Sequence, residues 1–240
     1  MLQPIVDISR MPGVEWFGIT ILEPFTVLTN LIIAAFCFYA YYGLRKKQLT
    51  QFSPVHRYIS LFFLLMGIAT IVGGVVGHAF LYATGMYGKI PGWYLSMAAV
   101  AFFERAAIRH GRTVLPFSIG RFFSTLNYIE ILAFMFLSLY TLNFVYVILH
   151  AIYGLFVVVF CFMFYMYLKT KDLALVNLFI ATGWGIAAML CHAFQLGINQ
   201  WFNYNDVSHL AMTAAIYYYY KAAYNMQAEL SKELTTSNKQ

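Results

Sequence analysis

The stretch at residues 57–84, RYISLFFLLMGIATIVGGVVGHAFLYAT, contains one basic residue, Arg57, and no acidic one. A helix of roughly 20 apolar residues crosses a hydrocarbon core of ~30 Å, so this stretch is long enough to span a membrane. Six other stretches share its character, which predicts transmembrane helices at residues 16–43, 57–84, 92–108, 122–142, 144–168, 173–199 and 206–224. The predicted fold class is therefore an all-α integral membrane protein built as a seven-transmembrane helix bundle.

The composition agrees with this class. Hydrophobic residues make up 62% of the chain and charged residues 10%, whereas a soluble domain carries about 25% charged residues. The seven segments leave little chain over, so we expect one domain over residues 1–240 with a short polar tail at 225–240. Residues 1–15 are charged and lack an apolar core, which argues against a cleaved signal peptide.

The basic residues predict the orientation in the membrane. Arg10 and Lys89 fall on one side of the predicted helices, and Arg105 lies inside one. The other twelve fall on the opposite side: Arg45, Lys46, Lys47, Arg57, Arg109, Arg112, Arg121, Lys169, Lys171, Lys221, Lys232 and Lys239. The positive-inside rule places the N-terminus outside and the C-terminus in the cytoplasm. We therefore expect a multi-pass membrane protein, of the cell membrane if bacterial, whose +6 charge is a topology signal and no nucleic-acid footprint.

Titratable side chains are predicted to gather at one depth, within about two turns of the outer end of the bundle. They are Glu23, His78, His192, Asp206 and His209. A charged side chain near a bilayer centre costs roughly 2.5 to 3.5 kcal/mol on insertion scales, so such residues rarely lack partners. Asp206 and His209 lie one helical turn apart, and Asn205 is four residues before His209. Carboxylate and imidazole together are zinc-ligand chemistry, so we expect a site here.

Structural roles compete with this interpretation. Asn205 or Asp206 can cap the seventh helix, and a single intramembrane histidine can bond to a neighbouring helix. Other polar residues are expected to be structural: Glu104 pairs with Arg105 or anchors the cytoplasmic end, Glu130 pairs with Arg105, and His56 and His110 lie in exposed loops. His150 lies at a depth similar to the predicted site and is a weaker candidate.

Three short motifs resemble those of the alkaline ceramidases. Glu23 followed by Thr29-Asn30 is similar to the opening of their first helix, E-F-x-N-T-x-S-N. The run GGVVGH at 73–78 resembles their G-S-x-x-F-H motif on helix two, and NDVSH at 205–209 resembles the H-x-x-x-H that opens helix seven. The helix count also agrees with the wider CREST superfamily, which includes the progestin/adipoQ receptors. The resemblance implies a zinc held by histidines of helices two and seven, whose water attacks a lipid amide or ester.

The sequence departs from the family pattern at three places. Gly74 stands where the family has a serine, Asn205 stands where it has the first histidine, and residues 87–91 contain no match for its acid after helix two. His78 and His209 carry over directly, and Glu23 matches a family acid. A third ligand would then come from Asp206 or His192.

These observations give a functional hypothesis. The protein is expected to be a zinc-dependent intramembrane hydrolase of a lipid amide or ester, with metal ligands His78, His209 and Asp206 and with His192 as a fourth ligand or its support. Glu23 orients the water or accepts its proton, and Asn205 joins it in the catalytic group. Two alternatives remain: a haem b electron-transfer protein with axial histidines, or a non-catalytic receptor or scaffold of the same fold.

Overall fold

A β-hairpin precedes the helices in the computed structural model, which describes residues 11–226. Strands β1 (Gly13–Trp16) and β2 (Ile19–Leu22) pair antiparallel. Phe17 and Gly18 join them with φ angles of 48° and 74°. Positive φ at both central residues is typical of the two-residue turn whose twist matches the flanking strands. The hairpin leads directly into the first helix.

The helical part fills most of the remaining described chain. The helices are α1 (Pro24–Thr50), α2 (Pro54–Gly74), α3 (Leu81–Thr84), α4 (Ile90–Gly111), α5 (Phe117–Thr141), α6 (Val145–Ile152), α7 (Phe160–Thr170), α8 (Ala174–Ala193) and α9 (Tyr204–Asn225). A π turn, Val75–Ala79, extends α2, and a second π segment, Tyr153–Val159, joins α6 to α7. A 3₁₀ turn, Met86–Lys89, leads into α4.

Five helical segments among the described residues are long and apolar enough to cross a membrane. They are Pro24–Thr50, Pro54–Ala79, Phe117–Thr141, Val145–Thr170 and Ala174–Ala193. In the most apolar 18-residue stretch of α5, only 17% is buried inside the protein, and in that of α8 the share is 28%. Exposed apolar surface of this extent marks a face that a water-soluble protein rarely leaves open. The fold is thus that of an all-α membrane protein with one small hairpin.

The core lies where α4 meets its neighbours. Helix α4 packs against α2, α5 and α7, α8 packs against α9, and α1 contacts both α2 and α9. Phe62, Phe103 and Tyr219 meet in this core, with the rings of Phe62 and Phe103 4.8 Å apart and those of Phe103 and Tyr219 5.0 Å apart. The central position of α4 explains how its 22 residues can include charged side chains: its neighbours cover much of it.

Three predicted segments differ from the observed helices at one end. Residues 16–22 belong to the hairpin, so the first helix begins at Pro24. The segment at 57–84 leaves its continuous helix after Ala79, and the segment at 173–199 ends at Ala193. After Ala193 the chain turns at Gln195, whose φ is 52°, and Asn199 Oδ1 accepts hydrogen bonds from two backbone N–H groups. These three stretches are largely apolar, which is why the hydropathy pattern extended the predicted helices over them.

Some of the predictions lie outside the described residues. These are the placement of Arg10, Lys232 and Lys239 and the polar tail from residue 227 onward.

Candidate functional site

Glu23 and His78 form a direct pair between the start of α1 and the end of α2. Glu23 Oε2 lies 2.6 Å from His78 Nδ1, and Glu23 Oε1 accepts a hydrogen bond of 3.0 Å from Asn203 Nδ2. Glu23 is buried and precedes Pro24 in the left-handed conformation, with φ 45° and ψ 55°. Its backbone N–H donates to the Pro12 carbonyl at 2.7 Å. This uncommon backbone conformation for a non-glycine residue aims the carboxylate at two helices.

The π turn at the end of α2 sets the position of His78. The turn, Val75–Ala79, holds one residue more than an α-helical turn and therefore rotates the side chains that follow. π turns often occur at functional sites. Just before it, a Cβ on Gly74 would lie 2.8 Å from Asn30 Cβ, so α1 and α2 approach closely only because residue 74 has no side chain. This contact explains why a serine does not fit at residue 74 without a shift of the helices.

His209 is held by an aspartate through a threonine. Thr29 Oγ1 lies 2.9 Å from His209 Nδ1 and 3.3 Å from Asp206 Oδ1. Asp206 is fully buried, and its other oxygen accepts a hydrogen bond of 2.7 Å from the Asn203 backbone N–H. Asn203 is the N-cap of α9, and its own Oδ1 accepts from the Asn205 backbone N–H at 2.8 Å. The capping residue is therefore Asn203, with Asp206 completing a capping box.

The hydrogen bonds are consistent with the same tautomer for both histidines. Thr29 has a single hydroxyl hydrogen, and two oxygens accept within its reach, the Thr26 carbonyl at 3.1 Å and Asp206 Oδ1 at 3.3 Å. When Thr29 donates to either oxygen, His209 Nδ1–H donates to the Thr29 oxygen. His78 Nδ1–H likewise donates to Glu23. The Nε2 atom of each ring then carries a free lone pair. Histidines that bind metals are almost always held in this way through their other nitrogen.

His192 and Asn205 border the same region. The His192 ring is 5.2 Å from the Tyr204 ring and 5.8 Å from the Phe144 ring, and its side chain lies near that of Asn205. His192 and His78 both lie close enough to His209 to influence its charge. The end of α8 thus adds a third imidazole to the two at the ends of α2 and α9.

Lys89 is a site residue that the motifs did not indicate. It lies in the 3₁₀ turn before α4, where its side chain packs near Gly77 and its charge acts on Glu23. Burial lowers the pKa of Lys89, and the nearby Glu23 charge offsets part of that effect. Burial raises the pKa of Glu23, but the hydrogen bond from His78, the charges of His78 and Lys89 and the hydrogen bond from Asn203 together hold it below its ordinary value. Glu23 is therefore ionised at neutral pH.

The structure brings the predicted residues to one end of the bundle without closing them around one point. Within residues 11–226, one group of three His, Cys, Asp or Glu residues has candidate ligand atoms that all lie within 4.8 Å of one another. That group is Glu104, Glu130 and His150, not the predicted set of His78, His192, Asp206 and His209. Both oxygens of Asp206 are also occupied by hydrogen bonds within the protein.

Four structural expectations were wrong. Glu130 pairs with His150 at 2.9 Å rather than with Arg105, whose guanidinium lies 3.6 Å over the Tyr128 ring. Glu104 is fully buried and is not an anchor at the helix end. Consecutive helical residues point in different directions, so Glu104 and Arg105 do not face each other. His56 and His110 lie on helices α2 and α4 and are buried, not in exposed loops.

The fold and the site define the class of protein: a helical membrane protein with buried carboxylate–histidine pairs between its helices. Residues 25–228 match a family of unknown function (DUF6962), and the chain belongs to that family. No curated protein matches the chain. No solved structure matches it either.

Proposed function

We propose that this protein crosses the membrane seven times with its N-terminus outside, and that it hydrolyses a lipid amide or ester at a zinc site near the outer surface. His78, His192 and His209 are the ligands in this proposal. It differs from the ligand set expected from sequence because both Asp206 oxygens are engaged within the protein. Asp206 then positions His209 through Thr29 instead of binding metal.

One observation carries the proposal: two histidines from different helices are each fixed through Nδ1 by a buried acid. Glu23 fixes His78 directly, and Asp206 fixes His209 through Thr29. His56 differs from both: its Nε2 lies 2.8 Å from the Ala223 carbonyl oxygen, and its Nδ1 has no hydrogen-bond partner among the described residues. Two free Nε2 atoms beside a third imidazole fit the nitrogen ligands that zinc takes.

The residues around the three imidazoles suit lipid hydrolysis. Bound zinc would lower the pKa of its water to ~7 and so supply a hydroxide nucleophile. Glu23 and Asp206 hold the ligands, and the half-buried side chain of Lys89 provides a positive charge near Glu23. Phe25, which is 43% exposed, contacts Phe202 beside Glu23. An acyl chain in the bilayer therefore meets apolar surface next to the site.

A count of seven spans requires that the two helices that are less apolar than the other five also cross the membrane. Helices α4 and α9 each have 22 residues, about 33 Å at 1.5 Å per residue, which is enough to cross the hydrocarbon core. Both pack among other helices, so their polar residues are shielded from lipid. With all seven crossing, the start of α1 and the ends of α2 and α8 lie on the same side as the start of α9. That side is the one on which His78 and His209 lie.

The orientation gives a direct test. A reporter that is active only in the cytoplasm, fused after the C-terminus, is expected to be active, and one fused before the N-terminus is expected to be silent. The reason is the excess of Lys and Arg on the C-terminal side of the bundle. Activity of both fusions would show an even number of spans, and the reverse pattern would invert the site to the cytoplasmic face.

The function is tested with the whole protein purified in mild detergent. We expect zinc by elemental analysis, no Soret band, and release of fatty acid from a panel of ceramides, N-acyl amides and lipid esters. Removal of zinc with a chelator should abolish release, and added zinc should restore it. A Soret band without zinc would replace the proposal with a haem protein. Zinc without turnover on any substrate would replace it with a non-catalytic member of the same fold.

A further inference from the structure

A second group of acids and imidazole lies in the middle of the bundle, away from the site just described. Glu104 of α4, Glu130 of α5 and His150 of α6 are all buried, and their candidate ligand atoms lie within 4.8 Å of one another. Glu130 is the fourteenth of the 25 residues of α5, so the group lies near mid-membrane depth. Three different helices therefore contribute one side chain each to a single buried point.

Three of the four carboxylate oxygens of this group lack a hydrogen-bond partner among the described residues. Neither Glu104 oxygen nor Glu130 Oε1 accepts a hydrogen bond from any described residue. Asn127 lies near Glu104, and its Nδ2 donates one of its two hydrogens to the Ala101 carbonyl at 3.5 Å. Neither glutamate forms an ion pair with Lys or Arg within residues 11–226. A buried charge without a partner is strongly destabilising, so this group must hold either protons or a bound cation.

His150 points to a metal cation. Its Nε2 lies 2.9 Å from the Met97 carbonyl oxygen, which only accepts, so Nε2 carries the hydrogen. In the neutral ring, Nδ1 then presents a lone pair to Glu130 Oε2, also 2.9 Å away. Two lone pairs at this distance need either a proton or a metal ion between them. Metal-bound histidines show the same arrangement, with one nitrogen donating to a carbonyl and the other bound to the ion.

The distances suit one ion. Zinc binds nitrogen and oxygen ligands at ~2.0–2.2 Å, so two ligand atoms about 3 Å apart share an ion at roughly a right angle. Ligands on opposite sides of an ion lie up to ~4.4 Å apart, so a group within 4.8 Å closes on one ion by small side-chain rotations. A Cβ on Gly154 would lie 2.6 Å from Glu104 Oε1, and the absence of that side chain keeps the carboxylate's place open.

We propose that Glu104, Glu130 and His150 bind one divalent first-row transition-metal ion, such as zinc, manganese or iron(II). Two carboxylates and one imidazole form a mixed oxygen–nitrogen set that these ions share. The ion clamps α5 to the bundle. The buried residues of α5 are Gly120, Asn127, Glu130 and Ser138, none of them a large apolar residue, so α5 has little packing of its own to hold it. This proposal does not rest on the proposed hydrolase.

The test is a metal count on four purified forms of the full protein: wild type, Glu104→Gln, His209→Ala and the double variant. Each is stripped with chelator, given zinc, manganese or iron(II) singly, and desalted. We expect Glu104→Gln to lose one equivalent of the best-bound ion, whether or not His209 is present. The ion should raise the melting temperature of His209→Ala but not that of the double variant. Glu15→Gln, which changes an exposed glutamate of β1, is the matched control and should behave as wild type.

Other outcomes would overturn the proposal. Equal metal content in wild type and Glu104→Gln shows that this group binds no metal. An infrared carbonyl band of a protonated carboxylic acid in the wild type, lost in Glu104→Gln, shows that a shared proton holds the group instead. His209→Ala leaves Glu104, Glu130 and His150 intact, so X-ray absorption on that variant reports on this group alone. It must show mixed oxygen and nitrogen ligands with one imidazole. If His209→Ala loses metal and Glu104→Gln does not, the protein binds metal only at the site that contains His209.

Discussion

His209→Ala is expected to remove the zinc of the outer site and abolish lipid hydrolysis. The substitution takes away one ligand and leaves Thr29 and Asp206 without the ring they hold. Loss of a ligand removes both the ion and the nucleophile that it generates, so added zinc should not restore turnover. The measurement is zinc per chain by elemental analysis, alongside fatty acid release from the substrate that the wild type cleaves best.

His110→Ala is the control for the loss of a buried histidine. His110 is buried at the far end of α4, 21 residues beyond Lys89, so it lies about 30 Å from the outer site along that helix. Its replacement should leave zinc content and hydrolysis at the wild-type level. Full activity in His209→Ala, in protein that still elutes as a folded species, would exclude the proposed zinc site.

Much of the helical framework could be predicted from the sequence, because a span needs little more than length and apolar composition. The errors arise where apolar chain is not helical. Residues 16–22 are as apolar as a helix, yet Phe17 and Gly18 adopt positive φ and fold them into strands. An aromatic–glycine pair between short apolar runs was the available signal. After Ala193 the loop that carries Trp201 is also apolar, and only its turn residues distinguish it.

The positions of Glu23, His78 and His209 along the bundle could be predicted, but not their hydrogen bonds. Their similar distance from the ends of the predicted segments placed them at one end of the bundle, and the structure places them at one end as well. The direct Glu23–His78 contact depends on a left-handed residue before Pro24 and on a π turn. Each of these rotates a side chain in a way that ideal helical periodicity does not contain.

The contacts of Thr29 and Asn203 were missed for a related reason. Thr29 was named only as part of the Thr29-Asn30 motif, whereas in the structure it makes the contact with His209. Asn203 precedes the predicted seventh segment, but it is the residue that caps α9 and bonds to Glu23. The asparagine three residues before Asp206 is a capping-box spacing, and it was the signal that could have found this contact.

The central group was missed because its members lie on three helices with no motif in common. Glu104 was assigned to its neighbour Arg105, although adjacent helical residues point about 100° apart. In the structure Arg105 turns to Tyr128 and leaves Glu104 facing Glu130. Which face of α4 meets α5 is a property of tertiary packing. A single sequence without periodic apolar stripes does not determine it.

Glu23→Gln is expected to lower zinc affinity at the outer site by roughly 10- to 100-fold, the usual effect of losing the partner that orients a metal-binding histidine. Glu23 offers two acceptor oxygens to two donors, His78 Nδ1–H and Asn203 Nδ2–H. Glutamine offers one acceptor and one donor, so one contact becomes donor against donor. Asn203 cannot reverse its amide to compensate, because its Oδ1 accepts from the Asn205 N–H at the start of α9.

Glu23→Gln also distinguishes two roles for Glu23 when the rate of hydrolysis is measured over a range of zinc concentrations. A positioning residue gives weak zinc binding, with hydrolysis that recovers in excess zinc. A residue that takes the proton from water gives normal zinc binding and a kcat reduced by about 10²–10⁴-fold at every zinc concentration. Because both Glu23 oxygens are already hydrogen-bonded to protein groups, we expect the first pattern. Glu15→Gln should titrate as wild type, since Glu15 is exposed on β1 and the comparison then isolates the burial and partners of Glu23.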